Sequence, residues 1–150
     1  MIVYKKGDLL ADSAEALVNA VNTVGVMGAG IARQFKKQYP EMFLAYEKAC
    51  EAGEVELGKM HFVQVDTDDG KKYVINFPTL AHWSDQSELK HIESGLIDLV
   101  RIIHEKEIKT IAIPPLGCGV GGLQWQDVRQ LIEAAFQNVD GVQVHLYEPL

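Results

Sequence analysis

Leu17-Val18-Asn19-Ala20-Val21-Asn22-Thr23-Val24-Gly25-Val26-Met27-Gly28-Ala29-Gly30-Ile31 is the stretch that decides the fold. It opens on an apolar run of strand type and passes through a glycine cluster. It then continues into Ile31, Ala32, Phe35 and Tyr39, which share one face at helical spacing. Strand, glycine loop and helix in that order make a βα unit. A near-continuous apolar strand of this kind belongs in a sheet covered on both faces. Glycines in such a loop let the backbone turn sharply and approach a ligand with no Cβ in the way. The helix behind the loop presents unpaired N–H groups and a partial positive charge.

Outward from this unit the same alternation repeats. Ile2-Val3-Tyr4 starts a short strand that Gly7-Asp8 breaks. Pro40 opens a second helix with the stripe Met42, Phe43, Tyr46, Ala49 and Cys50, which Gly53 ends. Residues 60–65 and 73–77 read as strands. Between them Thr67-Asp68-Asp69-Gly70 is a hairpin turn in which Asp-Gly supplies the positive φ angles. Leu89, Ile92, Leu96, Leu99, Val100 and Ile103 predict a long helix over 87–106. Residues 110–113 form a buried strand and 115–122 a second glycine loop. A helix carrying Val128, Leu131, Ile132, Ala135 and Phe136 and a strand over 142–147 close the chain. About six strands and four helices, interleaved, predict an α/β domain, and the hairpin makes its sheet mixed. Ligands in such sheets bind at the carboxyl ends of strands, where both glycine loops lie.

The 150 residues fit one domain, 1–150, with 47% apolar and 23% charged residues, normal values for a folded soluble protein. Acidic residues outnumber basic ones 21 to 14, a net charge of −7, which argues against a general nucleic-acid coat. It leaves room for a small anion held by backbone amides. Cys50 and Cys118 are too few for a disulfide framework, and free thiols in a reducing compartment are expected. The N-terminus lacks a signal peptide's apolar core, and no run approaches the roughly 18 apolar residues of a membrane span. These features predict a soluble, cytoplasmic protein with no membrane partner. His61, His91, His104 and His145 show no zinc spacing, and residues 66–69 read as a solvated hairpin tip, so no metal or cofactor is expected.

Gly117-Cys118-Gly119-Val120-Gly121-Gly122 contains the G-x-G-x-x-G pattern of dinucleotide folds, but near the end of the chain. The nearest acid at a strand end, Glu148, is too distant, so a nicotinamide-dependent oxidoreductase is the poorer alternative. Neither loop has Walker A spacing. Two glycine loops after buried strands point instead to a phosphate or pyrophosphate cradle, against the bland reading of two tight turns. Asn19, inside a strand, reads as structural. Asn22, at the loop mouth, suits a ribose hydroxyl or a water. Asp8 is either a turn cap or an acceptor for an exocyclic amine. Tyr147 either packs on a base or closes the core. Cys118 contributes its backbone.

Asn19-Ala20-Val21-Asn22, Gly25-Val26-Met27-Gly28-Ala29-Gly30-Ile31-Ala32, Asn76-Phe77-Pro78-Thr79 with His82-Trp83, and 117–125 together resemble a macrodomain over the whole chain. The resemblance is to the branch holding the DarG antitoxin and the terminal ADP-ribose protein glycohydrolase. It implies a three-layer α/β/α sandwich with a mixed six-stranded sheet and an ADP-ribose cleft. By motif, Asp8 and Leu9 would hold adenine, and the backbone of Gly117, Cys118, Gly119, Val120, Gly121 and Gly122 the diphosphate. Gly28, Ala29, Gly30 and Ile31 would enclose the phosphates and distal ribose. Asn22 would face that ribose, with Thr79 and Tyr147 completing the set.

The implied activity is removal of mono-ADP-ribose from a macromolecule, single-stranded DNA or protein, opposite an ADP-ribosyltransferase toxin. The hydrolases of this branch carry a lysine after Asn-Phe-Pro-Thr. Here that residue is Leu80, which cannot act as nucleophile or acid. Where the protein-directed enzyme has an Asp, this chain has Gly121, as in the DarG-type loop. The basic residues that usually surround His-Trp are also missing. Besides an engineered replacement at Leu80 that traps a complex, two expectations follow. In one, a hydrolase uses Asn22 to position water and His82 as acid or base. In the other, a non-catalytic reader binds ADP-ribose without cleaving it.

Overall fold

Strand β2 (Ala16–Val21) is apolar except at Asn19, and helices cover both of its faces. Successive side chains of a strand point to opposite faces. Ala16 and Val18 pack into one core, and Leu17 and Val21 into the other. In the computed structural model, which describes residues 1–150, β1 (Ile2–Lys5) precedes β2. After it come α1 (Gly30–Gln38), α2 (Pro40–Glu51), β3 (His61–Thr67) and β4 (Gly70–Pro78). The chain ends with α3 (Leu89–Glu105), β5 (Thr110–Ile113), α4 (Trp125–Phe136) and β6 (Gln143–Tyr147). A single 3₁₀ turn, Leu9–Ala11, was not foreseen from the sequence.

The six strands run in the order β1-β6-β5-β2-β4-β3. All neighbours are parallel except β3, which pairs antiparallel with β4. The hairpin closes with Thr67 opposite Gly70, as expected, but of the Asp69-Gly70 pair only Gly70 adopts a positive φ, +113°. Phe35 of α1 and Met42, Phe43 and Tyr46 of α2 cover one face. Ile92, Leu96, Leu99 and Ile103 of α3 with Val128 and Ile132 of α4 cover the other. The three-layer expectation holds. Helix α3 begins later than its apolar repeat suggested, because Ser87 donates its N–H to Gly121 O at 3.0 Å and belongs to the preceding loop.

Asn19 sits in the sheet interior as a structural residue. It lies opposite Asn76, which lies opposite His61, so a polar row crosses β2, β4 and β3. Asn19 Nδ2 donates to Asn76 Oδ1 at 3.1 Å, and Asn76 Nδ2 is 3.1 Å from His61 Nδ1. Burial holds the His61 pKa below its usual value, against the opposing pull of Glu54, which keeps its ring neutral and able to accept.

Gly95 lies in the middle of α3, where glycine costs about 1 kcal/mol of helix propensity. A Cβ there would stand 2.4 Å from the Phe77 ring of β4, so glycine sets how closely α3 approaches the sheet. Gly95→Ala should therefore lower stability by about 1–3 kcal/mol despite its better propensity. A urea unfolding midpoint that stays or rises would contradict this packing account.

Candidate functional site

Five parallel strands end on one edge of the sheet, and three of the loops leaving that edge enclose a cavity of about 620 Å³. Asn22, Val26, Gly28, Ala29, Gly30, Ile31 and Ala32 line it from the β2–α1 side. Thr79, Leu80 and Trp83 line it from the β4–α3 loop, and Pro114, Pro115, Gly117, Gly119, Val120 and Gly121 from the β5–α4 loop. None of these side chains titrates in the ordinary pH range. The walls are apolar, and the polar groups they offer are mostly backbone.

Two sets of those backbone N–H groups have no acceptor on the backbone. Ala29 precedes α1 without any side-chain cap, and the first helical bond runs from Arg33 N–H to Ala29 O at 3.3 Å. The earlier N–H groups of the helix have no partner on their own element and sit at the cavity wall. Across the cavity, the N–H groups of Gly119, Val120 and Gly121 likewise lack a backbone acceptor. Two sets of aligned donors and a helix dipole thus converge on one volume, an arrangement that binds anions.

Two members of the expected diphosphate set are not available. Cys118 donates its N–H to Pro115 O and Gly122 its N–H to Gly119 O, both at 3.1 Å. These turns shape the loop while leaving Gly119 to Gly121 open. The Cys118 thiol is pushed up to about 11 by burial, so it carries no thiolate at neutral pH. Gly121 is obligatory by close approach. A Cβ there would lie 2.2 Å from Ser87 Oγ and 2.7 Å from Gly117 O. Gly121→Ala should displace the loop and weaken anion binding by about tenfold or more, since repacking such a clash costs roughly 1–3 kcal/mol. Calorimetry with pyrophosphate-containing ligands would check it, and unchanged affinity would remove the loop from the binding site.

Asn22 lines the cavity, but its carboxamide is largely committed to the loop. Its Nδ2 donates to Val26 O at 2.8 Å, and its Oδ1 accepts the N–H groups of Val24 at 3.1 Å and Val26 at 3.4 Å. The Tyr46 hydroxyl lies 2.8 Å from both Asn22 O and Oδ1. Burial raises the Tyr46 pKa, so this donor stays protonated. One Nδ2 hydrogen remains for a ligand. Met27 anchors the loop from below as a buried side chain. Thr23 fastens it sideways, with its N–H 3.1 Å and its Oγ1 3.0 Å from Ala81 O. Neither Tyr46 nor Met27 was singled out from the sequence, because both read as ordinary helix-stripe or loop residues.

His82 does not line the cavity. Its Nδ1 accepts the Ser84 N–H at 3.1 Å and lies 2.7 Å from Ser84 Oγ, and its ring stacks on Trp83 with centroids 3.7 Å apart. The pairing of Asn22 with His82 as water-positioner and acid-base group is thus not formed. Asp8 lies outside the cavity as an exposed cap, its Oδ1 accepting the Leu10 N–H at 3.1 Å. Leu9 is buried in the core. Tyr147 closes the core and packs on no open surface, because its hydroxyl donates to Asp12 Oδ2 at 2.7 Å.

Asp12 is a further residue that sequence reasoning missed. Its buried carboxylate also accepts from Ala14 N–H at 2.7 Å, meets His145 Nδ1 at 2.9 Å, and pairs with Lys5 at 3.2 Å. Burial alone would raise its pKa. The hydrogen bonds from Tyr147, His145, Ala14 and Lys5 outweigh burial and hold it at about 2, below the usual 3.8. Because the folded value is depressed, the stabilisation is present above about pH 4 and is lost as pH falls through about 2. Asp12→Asn should flatten the loss of stability between those limits. An acid-unfolding profile equally steep in the variant would show that other carboxylates carry the dependence.

The Macro domain family model matches residues 18–132. A DNA ADP-ribosyl glycohydrolase of Mycobacterium tuberculosis is 56% identical over 149 residues, covering 99% of this chain and 42% of that protein. The solved macrodomain of M. tuberculosis DarG superposes with a TM-score of 0.97 at 56% identity, covering 100% of this chain and 99% of that one. Thermosipho africanus DarTG, solved in complex with ADP-ribose, gives a TM-score of 0.93 at 35% identity, covering 99% of this chain and 42% of that one. The chain therefore spans 42% of the length of the DNA ADP-ribosyl glycohydrolases it matches. No helix is long and apolar enough to cross a membrane.

Proposed function

Because this chain belongs to the macrodomain family, we propose that its cleft binds ADP-ribose and removes that group from ADP-ribosylated DNA in the cytoplasm, opposing an ADP-ribosyltransferase. The observation that supports this most directly is the pair of unpaired amide sets, at the start of α1 and over Gly119 to Gly121, facing one cavity. A diphosphate accepts from several donors at once, and backbone donors need no counter-charge from Lys or Arg. A cavity of about 620 Å³ suits a ligand of this size class. The 56% identity to the mycobacterial DNA ADP-ribosyl glycohydrolase supports DNA as the carrier. The Thermosipho africanus relative, a DNA ADP-ribosyl transferase–glycohydrolase fusion protein, supports the opposing partner.

The chemistry would rest on placement. With no titratable side chain in the lining, the remaining Asn22 donor and the amides would hold the ribose and phosphates while water attacks the anomeric carbon, the bond from that carbon to the DNA base breaks, and the departing base takes the electron pair and the proton that the water gives up. Leu80 lines the cavity and favours a second reading, a domain that holds ADP-ribose without cleaving it. Incubation with ADP-ribosylated single-stranded DNA separates the two. Release of ADP-ribose by the chain as it stands supports the hydrolase. Binding without release, with release restored by Leu80→Lys, supports the reader. Absence of any heat with free ADP-ribose would sink both.

A further inference from the structure

The three loops that enclose the cavity contain no basic side chain: there is no Lys or Arg between Lys6 and Arg33, between Lys72 and Lys90, or between Lys109 and Arg129. The β4–α3 loop carries Asp85 and Glu88 instead. The loops themselves thus offer a nucleic acid no lysine or arginine for its backbone phosphates, the usual source of affinity for such a partner, and the first such residue beside them is Arg33, exposed on α1 directly after Ala32. What the mouth does present is Trp83, which lines the cavity and is 53% exposed. One face of its indole rests on the His82 ring at 3.7 Å.

This aromatic pair is held in place. His82 N–H donates to Asp85 Oδ2 at 3.1 Å, and Asp85 N–H returns to His82 O at 2.9 Å. Ser84 fixes the imidazole through Nδ1. The loop is fastened at one end by Thr23 on Ala81 O and at the other by Ser87 on Gly121 O. Trp83 thus sits half-exposed in a loop that is bonded to both amide-bearing loops, with its indole stacked on the braced His82 ring. A rigid aromatic plane loses little entropy when a second plane stacks on it, and nucleobases stack on such surfaces without sequence preference.

We propose that Trp83, braced by His82, is a stacking platform for an unpaired nucleobase beside the ADP-ribosylated nucleotide. The proposal rests on the cleft binding ADP-ribose. It assigns recognition of the DNA carrier to base stacking in place of phosphate contacts. It follows that the carrier must be single-stranded at the site, and that its contribution to binding depends weakly on salt.

The test uses a short single-stranded oligonucleotide carrying one ADP-ribose, and the same oligonucleotide made abasic at the nucleotides flanking the modified one. Binding by the full chain is read by fluorescence anisotropy, with free ADP-ribose as reference. The intact oligonucleotide should bind about tenfold more tightly than the abasic one, the scale of one base–aromatic stack. Trp83→Ala should erase that difference and Trp83→Phe should retain most of it. The difference should persist between 50 and 200 mM salt, the range over which phosphate-driven binding falls by orders of magnitude. Equal binding of the two oligonucleotides, or a difference that survives in Trp83→Ala, overturns the platform while leaving ADP-ribose binding intact. So does an ADP-ribosylated peptide that loses as much affinity on Trp83→Ala as the intact oligonucleotide. No binding of free ADP-ribose overturns the reading of the cleft itself, and this proposal with it.

Discussion

Backbone N–H groups without partners are the constraint on which the cleft depends. A loop holding several of them gains by collapsing onto its own carbonyls, so an open cradle lasts only where collapse is blocked. Here the blocking is done by neighbouring structure. Asn22 ties the β2–α1 loop through both ends of its amide and is itself held by Tyr46 from α2. The β5–α4 loop uses the N–H groups of Cys118, Gly122 and Leu123 for its own turns, and these turns keep Gly119 to Gly121 from turning inward. The β4–α3 loop bonds to both. The parallel sheet brings the three loops to one edge, and their mutual bonds keep the donors exposed.

The fold was legible because its signals are local. Apolar runs, helical spacing and glycine-rich βα loops mark the strands and α-helices in order, with their ends shifted by a few residues where loop bonds such as that of Ser87 intervene. The residues that line the cavity also fall in short contiguous stretches: Gly28 to Ala32, Thr79 to Leu80, and Gly119 to Gly121. What escaped were relations between distant residues. Asp12 reads as one acid in a turn, and only the sheet brings His145 and Tyr147 of β6 against it. Tyr46 fits the apolar stripe of α2, and nothing in that stripe says that its hydroxyl reaches Asn22. His82 and Tyr147 stayed open between two roles for a related reason. A polar aromatic can line a cleft, brace a neighbour or close a core, and its place along the chain does not distinguish these.

The net charge of −7 takes on a different meaning once the site is built. Fields from exposed acids are screened within roughly 10 Å at moderate salt, while donors in contact with a ligand act at hydrogen-bond distance. An acidic exterior is therefore compatible with an anion site made of amides. It is less compatible with long contacts along a polyanion. The chemistry of the loops thus separates two tasks that basic residues perform together in many nucleic-acid binders: holding the phosphates of the bound group, and holding the chain that carries it.

That separation bears on Leu80. A lysine there would place a cation among apolar walls and unpaired amides, where it would attract phosphate as well as assist chemistry. Leucine removes the charge and keeps that wall apolar. Where a bound ligand covers such an apolar wall, the low local dielectric strengthens its hydrogen bonds to the amides. The cavity is thus better arranged for tight, uncharged grip than for proton transfer. Any turnover it performs must come from the geometry it imposes on the bound ribose and on one water, because no lining side chain can supply or remove a proton at neutral pH.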